Sequence, residues 1–213
     1  MASNPNESLT NRHALAIGKS GSGKTYWLKR HPDVRRAAGR RLLVWDPYQS
    51  HDCHYQEDKR AFARHVANAV KQGRGFRLGL SMQPSQDNFE FFCQCAWIAL
   101  DGAKQTTVLI EEANDVTQPG KARAHWGQLI RVGRKFGAVI MVATQRPQEI
   151  DKTIFTQTDS QWVGLVSGYD RAYVEKYLDL ERGLLNSIEP NSYRYVMKRG
   201  ADIVWGGPKQ PKY

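Results

Sequence analysis

Eight consecutive residues, Gly18, Lys19, Ser20, Gly21, Ser22, Gly23, Lys24 and Thr25, fit the pattern G-x-x-x-x-G-K-[ST] at every position. The pattern has a mechanism. Glycines let backbone N–H groups turn inward around phosphate oxygens, the lysine adds a point charge, and the hydroxyl is offered to a divalent cation. Lys24 is therefore expected at the β- and γ-phosphates of a nucleotide such as ATP, and Thr25 at Mg²⁺. A second chemical feature stands where the apolar run TTVLI ends in Glu111-Glu112. Glu111 is expected to hold the metal, directly or through water, and Glu112 to act as general base on an attacking water. The usual residue at the first of these positions is aspartate, and Glu111 is one methylene longer. A third is Gln145, in the segment Thr144-Gln145-Arg146-Pro147. Its amide is placed either to hydrogen-bond the γ-phosphate or the water, or to serve as a turn residue before Pro147.

These side chains need strands that end beside one crevice, and the sequence supplies them. Apolar runs at 13–17, 41–45, 76–82, 106–110, 138–143 and 161–166 read as buried strands. Between them, 25–30, 57–72, a helix capped by Ser85 and running to 100, a stretch within 121–135 and 170–178 carry helical spacing or helix signals. Residues 193–198 and 202–205, around Arg199-Gly200-Ala201, predict a C-terminal β-hairpin. Buried strands alternating with amphipathic helices mean an α/β domain with a mainly parallel central sheet flanked by helices. Its expected extent is 13–205, between a flexible polar tail over 1–12 and a flexible basic tail over 206–213.

Composition narrows the function classes. With 31 Lys plus Arg against 21 Asp plus Glu the chain carries a formal charge of +10, which favours a polyanionic partner. No apolar stretch approaches the roughly 20 residues of a membrane-spanning helix. The first residues lack the basic and apolar regions of a secretory signal, so none is expected. Three cysteines without framework spacing fit a reducing compartment.

The segments GKSGSGKT, TTVLIEE and GRKFGAVIMVATQRP together resemble the FtsK–HerA superfamily of P-loop ATPases. Within it the chain is most similar to the genome-packaging ATPases of tailless, membrane-containing icosahedral viruses, with filamentous-phage assembly ATPases as relatives. The resemblance covers 13–205 and implies an additional-strand P-loop NTPase core. It further implies a double-stranded DNA translocase working as a ring, usually hexameric, with Gln145 as sensor and an arginine finger reaching a neighbour's ATP. Arg131 and Arg134, ahead of the sensor strand, are the first candidates for that finger, and Arg74 and Arg77 the second. Viral capsid or membrane vertex proteins would be partners, and the host cytoplasm and the virion the setting. A different class of reading is an ATP-binding assembly or secretion component of a phage vertex with little turnover of its own. A nucleotide kinase is a third, for which the sequence shows neither lid nor acceptor pocket.

Of the basic residues, Lys121 and Arg123 follow the acidic pair on a loop that can move with nucleotide state, and are the candidates for DNA phosphate contact. Trp126 either stacks on bases or anchors its helix to the core. The cluster Arg35, Arg36, Arg40 and Arg41 reads as a solvated helix end or a DNA contact. His51-Asp52-Cys53-His54 has ligand-type residues but no second cluster to complete a zinc site. Asp46, closing the second strand, either contacts the metal shell or a neighbouring subunit, or serves as a turn residue. His65 and Cys93 read as core.

Overall fold

Strand formation follows the apolar runs, and the period of two decides which side each residue serves. In the computed structural model, which describes residues 1–120 and 122–208, the first strand β1 is Ala14–Ile17 and leads through the glycine-rich loop into helix α1, Lys24–Arg30. There follow β2 (Arg41–Trp45), β3 (His54–Gln56), α2 (Lys59–Gln72), β4 (Phe76–Leu80), α3 (Gln86–Ala99) and β5 (Thr106–Ile110). The chain continues with α4 (Ala124–Val132), β6 (Ala138–Thr144), α5 (Lys152–Gln157), β7 (Ser160–Val163), α6 (Gly168–Tyr177), β8 (Tyr195–Arg199) and β9 (Asp202–Gly206).

The nine strands form one sheet in the order β3-β4-β2-β5-β6-β1-β7-β8-β9. Every pairing from β3 to β7 is parallel, and β8 and β9 add as an antiparallel hairpin. This is the α/β, P-loop architecture expected, with the C-terminal hairpin joined to the sheet rather than standing apart. Leu43, Trp45, Val108, Ile110, Ile140 and Val142 pack into the larger core cluster, with apolar residues of α2, α3 and α4. Their neighbours Leu42, Val44, Leu109, Met141 and Ala143 pack on the other, with Leu28 of α1. One register slip would exchange the two sets, so the pattern fixes the register.

Helix ends obey local chemistry. Asp58 accepts from the Ala61 N–H at the start of α2, and Ser85 accepts from Asn88 at the start of α3, each satisfying a donor that the helix leaves open. Two elements, β3 and α5, were not expected; at three and six residues they are too short to show a period. The strand expected over 161–166 begins at Ser160 and stops at Val163, before Gly164.

Two burial assignments change. Arg41 leaves the exposed basic cluster: it is buried, its Nη2 donates to the Ala99 carbonyl at 2.6 Å and its guanidinium lies over Phe76. His65 is half-buried beside His54, with Nδ1 lacking a partner among the described residues. The segment 1–12, expected as a flexible tail, lies against the loop after α3 and the turn that follows α4. Ser3 N–H donates to the Leu100 carbonyl, Asn6 N–H to that of Lys135, and the Asn4 amide to Asp101. Of the expected tail over 206–213, residues 209–213 lie outside the described residues.

Candidate functional site

The glycine-rich loop bridges the carboxyl ends of three strands. Gly18 N–H donates to the Thr144 carbonyl at the end of β6, and Lys19 N–H donates to the Leu165 carbonyl just past β7. The two glycines Gly21 and Gly23 take φ of 75° and 101°, a left-handed conformation that other residues adopt only at a cost. A Cβ at Gly21 would meet nothing within 4 Å, so its backbone conformation and not crowding is what calls for glycine there. Lys24 is buried, and its Nζ donates to the Gly18 carbonyl at 2.7 Å. Burial pulls its pKa down, while the charges of Glu112 and Glu111 oppose that shift.

β5 delivers the acidic pair to the same edge. Glu111 extends the strand by one bond, its N–H donating to the Trp45 carbonyl, and its carboxylate turns into the protein. Glu112 then adopts φ 47°, left-handed although it is not glycine, and opens a 3₁₀ turn over Ala113–Asp115. Such strain gathers at functional positions, because it re-aims a side chain that a relaxed strand would point elsewhere. Here it brings Glu112 Oε1 to 2.6 Å from Gln145 Nε2, which donates. The second oxygen, Oε2, is buried without a partner among the described residues. Burial raises the Glu112 pKa, only partly offset by the Gln145 hydrogen bond and the Lys24 charge.

Two further residues hold this arrangement and were not expected from sequence. Asn114 Oδ1 accepts from Thr144 Oγ1 and from Gln145 N–H, locking the 3₁₀ turn to the end of β6. His51 Nε2 stands 2.6 Å from Glu111 Oε1, with the ring fully buried. Its imidazole must donate there, because an ionised carboxylate only accepts. His51 is in turn placed by Asp46, whose carboxylate accepts from the backbone of Tyr48, Ser50 and His51 and from the Tyr55 hydroxyl. Asp46 thus has the turn role of its open alternatives, and it orders the loop that carries His51. The sequence signal for it is the ligand-like cluster around His51, which does not by itself reveal a carboxylate holder.

The His51 contact predicts a stability effect. His51→Leu leaves a buried carboxylate oxygen without a donor and should destabilise by about 1.5–3 kcal/mol, whereas His51→Gln retains an N–H and should recover part of that loss. Equal denaturant midpoints for the two variants would contradict the assignment.

The remaining candidates are dispersed. Trp126 anchors α4: it is buried and its Nε1 donates to Asp151 at 3.2 Å. Arg123 is exposed at the start of α4, 3.8 Å from Asp87, and Lys121 lies outside the described residues. Arg134 donates to the carbonyls of Leu9 and Glu7, so the N-terminal segment engages it within its own chain. Arg131 is exposed near the end of α4, with its guanidinium folded back against Gly127 of the same helix. Arg77 is also engaged, donating to the carbonyls of Asp52 and Val34, while Arg74 is exposed.

The fold has counterparts in known proteins. No family model matches the chain. It is 38% identical over 198 residues to protein P9 of Pseudoalteromonas phage PM2, covering 90% of this chain and 88% of that protein. Its fold is shared with the genome packaging NTPase B204 of Sulfolobus turreted icosahedral virus 2, solved in complex with AMPPCP. The TM-score there is 0.74 at 14% identity, over 93% of this chain and 98% of that one. VirB4 of Thermoanaerobacter pseudethanolicus follows the same fold with a TM-score of 0.63 at 9% identity, over 95% of this chain and 91% of VirB4.

Proposed function

The chain belongs to the family of phage PM2 protein P9 and has the fold of FtsK–HerA-like packaging NTPases, and from that premise we propose that it is an ATPase that drives double-stranded DNA into a viral capsid. The contact between Gln145 and Glu112, with Glu112 Oε2 buried and unpartnered beside the phosphate loop, carries this reading. Assembly alone needs no base aimed at a water; hydrolysis does.

Each residue then has a defined task. The backbone N–H groups of Gly21, Gly23, Lys24 and Thr25 hold the phosphates, and Lys24, released from its own loop's carbonyls, neutralises their charge. Gln145 fixes one oxygen of Glu112, so the other accepts the proton of a water attacking the γ-phosphorus in line as the bond to ADP breaks. The Thr25 hydroxyl and the Glu111 carboxylate form an all-oxygen donor set that fits Mg²⁺, a cation that takes one or two protein oxygens and fills its shell with phosphate and water. Bound there, Mg²⁺ would neutralise charge on the β- and γ-phosphates. His51 keeps Glu111 turned to that task.

A finger role for Arg131 would be exercised on a neighbouring copy's ATP, as in a homo-oligomeric ring such as a hexamer, with its guanidinium swung away from Gly127. Arg134 would have to leave Leu9 and Glu7 to serve. Arg123 and Lys121, on the loop after the acidic pair, are assigned to DNA phosphates in the ring's channel. Capsid or membrane vertex proteins are the proposed anchor, and the host cytoplasm and virion the proposed setting. No helix among the described residues is long and apolar enough to cross a membrane.

The test is ATP turnover by the purified chain with and without duplex DNA. DNA should stimulate turnover, and log affinity for DNA should fall with log salt by about 0.9 for each phosphate neutralised. Intact nucleotide binding with no turnover, in either the presence or the absence of DNA, would favour the vertex-assembly reading instead.

A further inference from the structure

β1 has β6 on one side and β7 on the other. Glu112 and Gln145 occupy the β5–β6 side, which fixes where the γ-phosphate ends, so the nucleoside has to leave toward β7 and β8. On that side the phosphate loop borders a cavity of about 680 Å³, lined by Gly23 and by Tyr26, Trp27, Trp162, Tyr193 and Tyr195. We propose that this cavity receives the nucleobase and holds it by stacking alone, so that ATP and GTP are accepted alike. The inference rests on the reading above that the loop binds a nucleoside triphosphate.

The aromatic wall is built and rigid. Trp27 stacks on Trp162 with centroids 6.0 Å apart and 23° between planes, and Trp162 packs on Tyr195 at 5.4 Å. Tyr26 and Tyr193, in contrast, are 66% and 56% exposed, leaving ring surface open. The Arg30 guanidinium sits 4.9 Å over the Tyr26 ring and donates to its hydroxyl, which fixes that ring in place. Tyr193 holds φ 50°, a strained conformation for a bulky residue, and its Cδ1 comes within 4.0 Å of where Gly23 would carry a Cβ. An exposed ring kept at such cost against the phosphate loop is the mark of a ligand clamp.

The same wall lacks the means to read a base edge. Selecting guanine takes an acceptor facing its N1–H and N2–H groups, as a carboxylate supplies, or a free guanidinium facing O6 and N7; Arg30, the one guanidinium among the described lining residues, is committed to the Tyr26 ring and hydroxyl. None of the described lining residues has a carboxylate or amide side chain. The hydroxyls present both donate and accept, so they suit adenine and guanine equally. What remains is π-surface, which favours purines over pyrimidines by area.

Equilibrium binding of ADP, GDP, CDP and tripolyphosphate to the full chain tests this. ADP and GDP should bind within about threefold of one another, and both tighter than CDP and tripolyphosphate. Tyr193→Ala should weaken ADP and GDP by a common factor of roughly 5- to 100-fold, the usual cost of losing a base–ring stack, with tripolyphosphate unchanged. Tyr193→Phe should restore both. A strong preference for ADP over GDP, unchanged ADP binding by Tyr193→Ala, or an equal loss for ADP and tripolyphosphate would overturn the stacking pocket while leaving the phosphate loop intact. If neither tripolyphosphate nor ADP binds, the nucleotide-binding reading falls as well.

Discussion

Replacing Glu112 by Gln is expected to lower ATP turnover about 1,000-fold while leaving nucleotide affinity within a few-fold of the wild type. A positioned general base contributes roughly 10²–10⁴ in rate. The amide cannot take the proton of water, yet it keeps the length and shape of the side chain and can still accept from Gln145 Nε2 through its carbonyl oxygen. Lys24→Ala should also abolish turnover, but through lost phosphate binding, so a nucleotide-binding assay separates the two. The pH profile adds a sharper test. Burial raises the Glu112 pKa above the ordinary 4.5, so the wild-type rate should decline on the acid side at a higher pH than an ordinary carboxylate would give. A raised carboxylate pKa also means the folded state binds its proton more tightly than the unfolded chain. The resulting stability is present below pH 4.5 and is lost as pH rises through the raised value. At neutral pH Glu112 therefore costs stability, and Glu112→Gln should melt no lower than the wild type, with its acid limb of activity gone. Turnover within tenfold of the wild type would remove Glu112 from the role of base.

How much of this was legible in sequence depends on the range over which each signal acts. The phosphate loop is contiguous, so its residue types alone determine the turn, and the buried strands announce themselves because parallel strands covered on both faces are apolar throughout. Glu112 and Gln145 were readable as strand-end polar residues. Their 2.6 Å contact was not, since it depends on the left-handed turn at Glu112 and on Asn114 bridging to β6. His51 was hidden for a related reason: it lies 60 residues from Glu111, and the two meet because β2 and β5 are neighbours in the sheet. Arg41 shows the opposite error. In sequence it sits beside Arg40 in an arginine cluster, but as the first residue of β2 it turns inward to the Ala99 carbonyl. Charge runs report composition, whereas membership of a strand covered on both faces decides burial.

The same loop yields the largest expected stability loss. Asp46→Ala should destabilise the chain by about 3 kcal/mol or more, with the melting temperature falling by roughly 6–12 °C for a domain of this size. Asp46 is fully buried, and its two oxygens accept from three backbone N–H groups and the Tyr55 hydroxyl. Truncation strands those donors in a place water cannot easily reach. Asp46→Asn should recover part of the loss, because its carbonyl oxygen can take the place of the oxygen that accepts from Ser50, His51 and Tyr55, leaving the Tyr48 N–H facing an NH₂. Asp52, six residues on, is the control: it pairs with Arg36 at 2.7 Å, but both side chains are about 70% exposed, and Asp52→Ala should cost under about 1 kcal/mol. Two aspartates of one loop thus separate burial from charge. The loop also ties stability to chemistry, because losing Asp46 frees His51 from Glu111. Asp46→Ala and His51→Leu should therefore be less damaging together than the sum of the two, since the first already removes what the second deletes. Strict additivity in a double-mutant cycle, or a melting temperature for Asp46→Ala no lower than for Asp52→Ala, would sink the view that Asp46 acts on the acidic pair through His51.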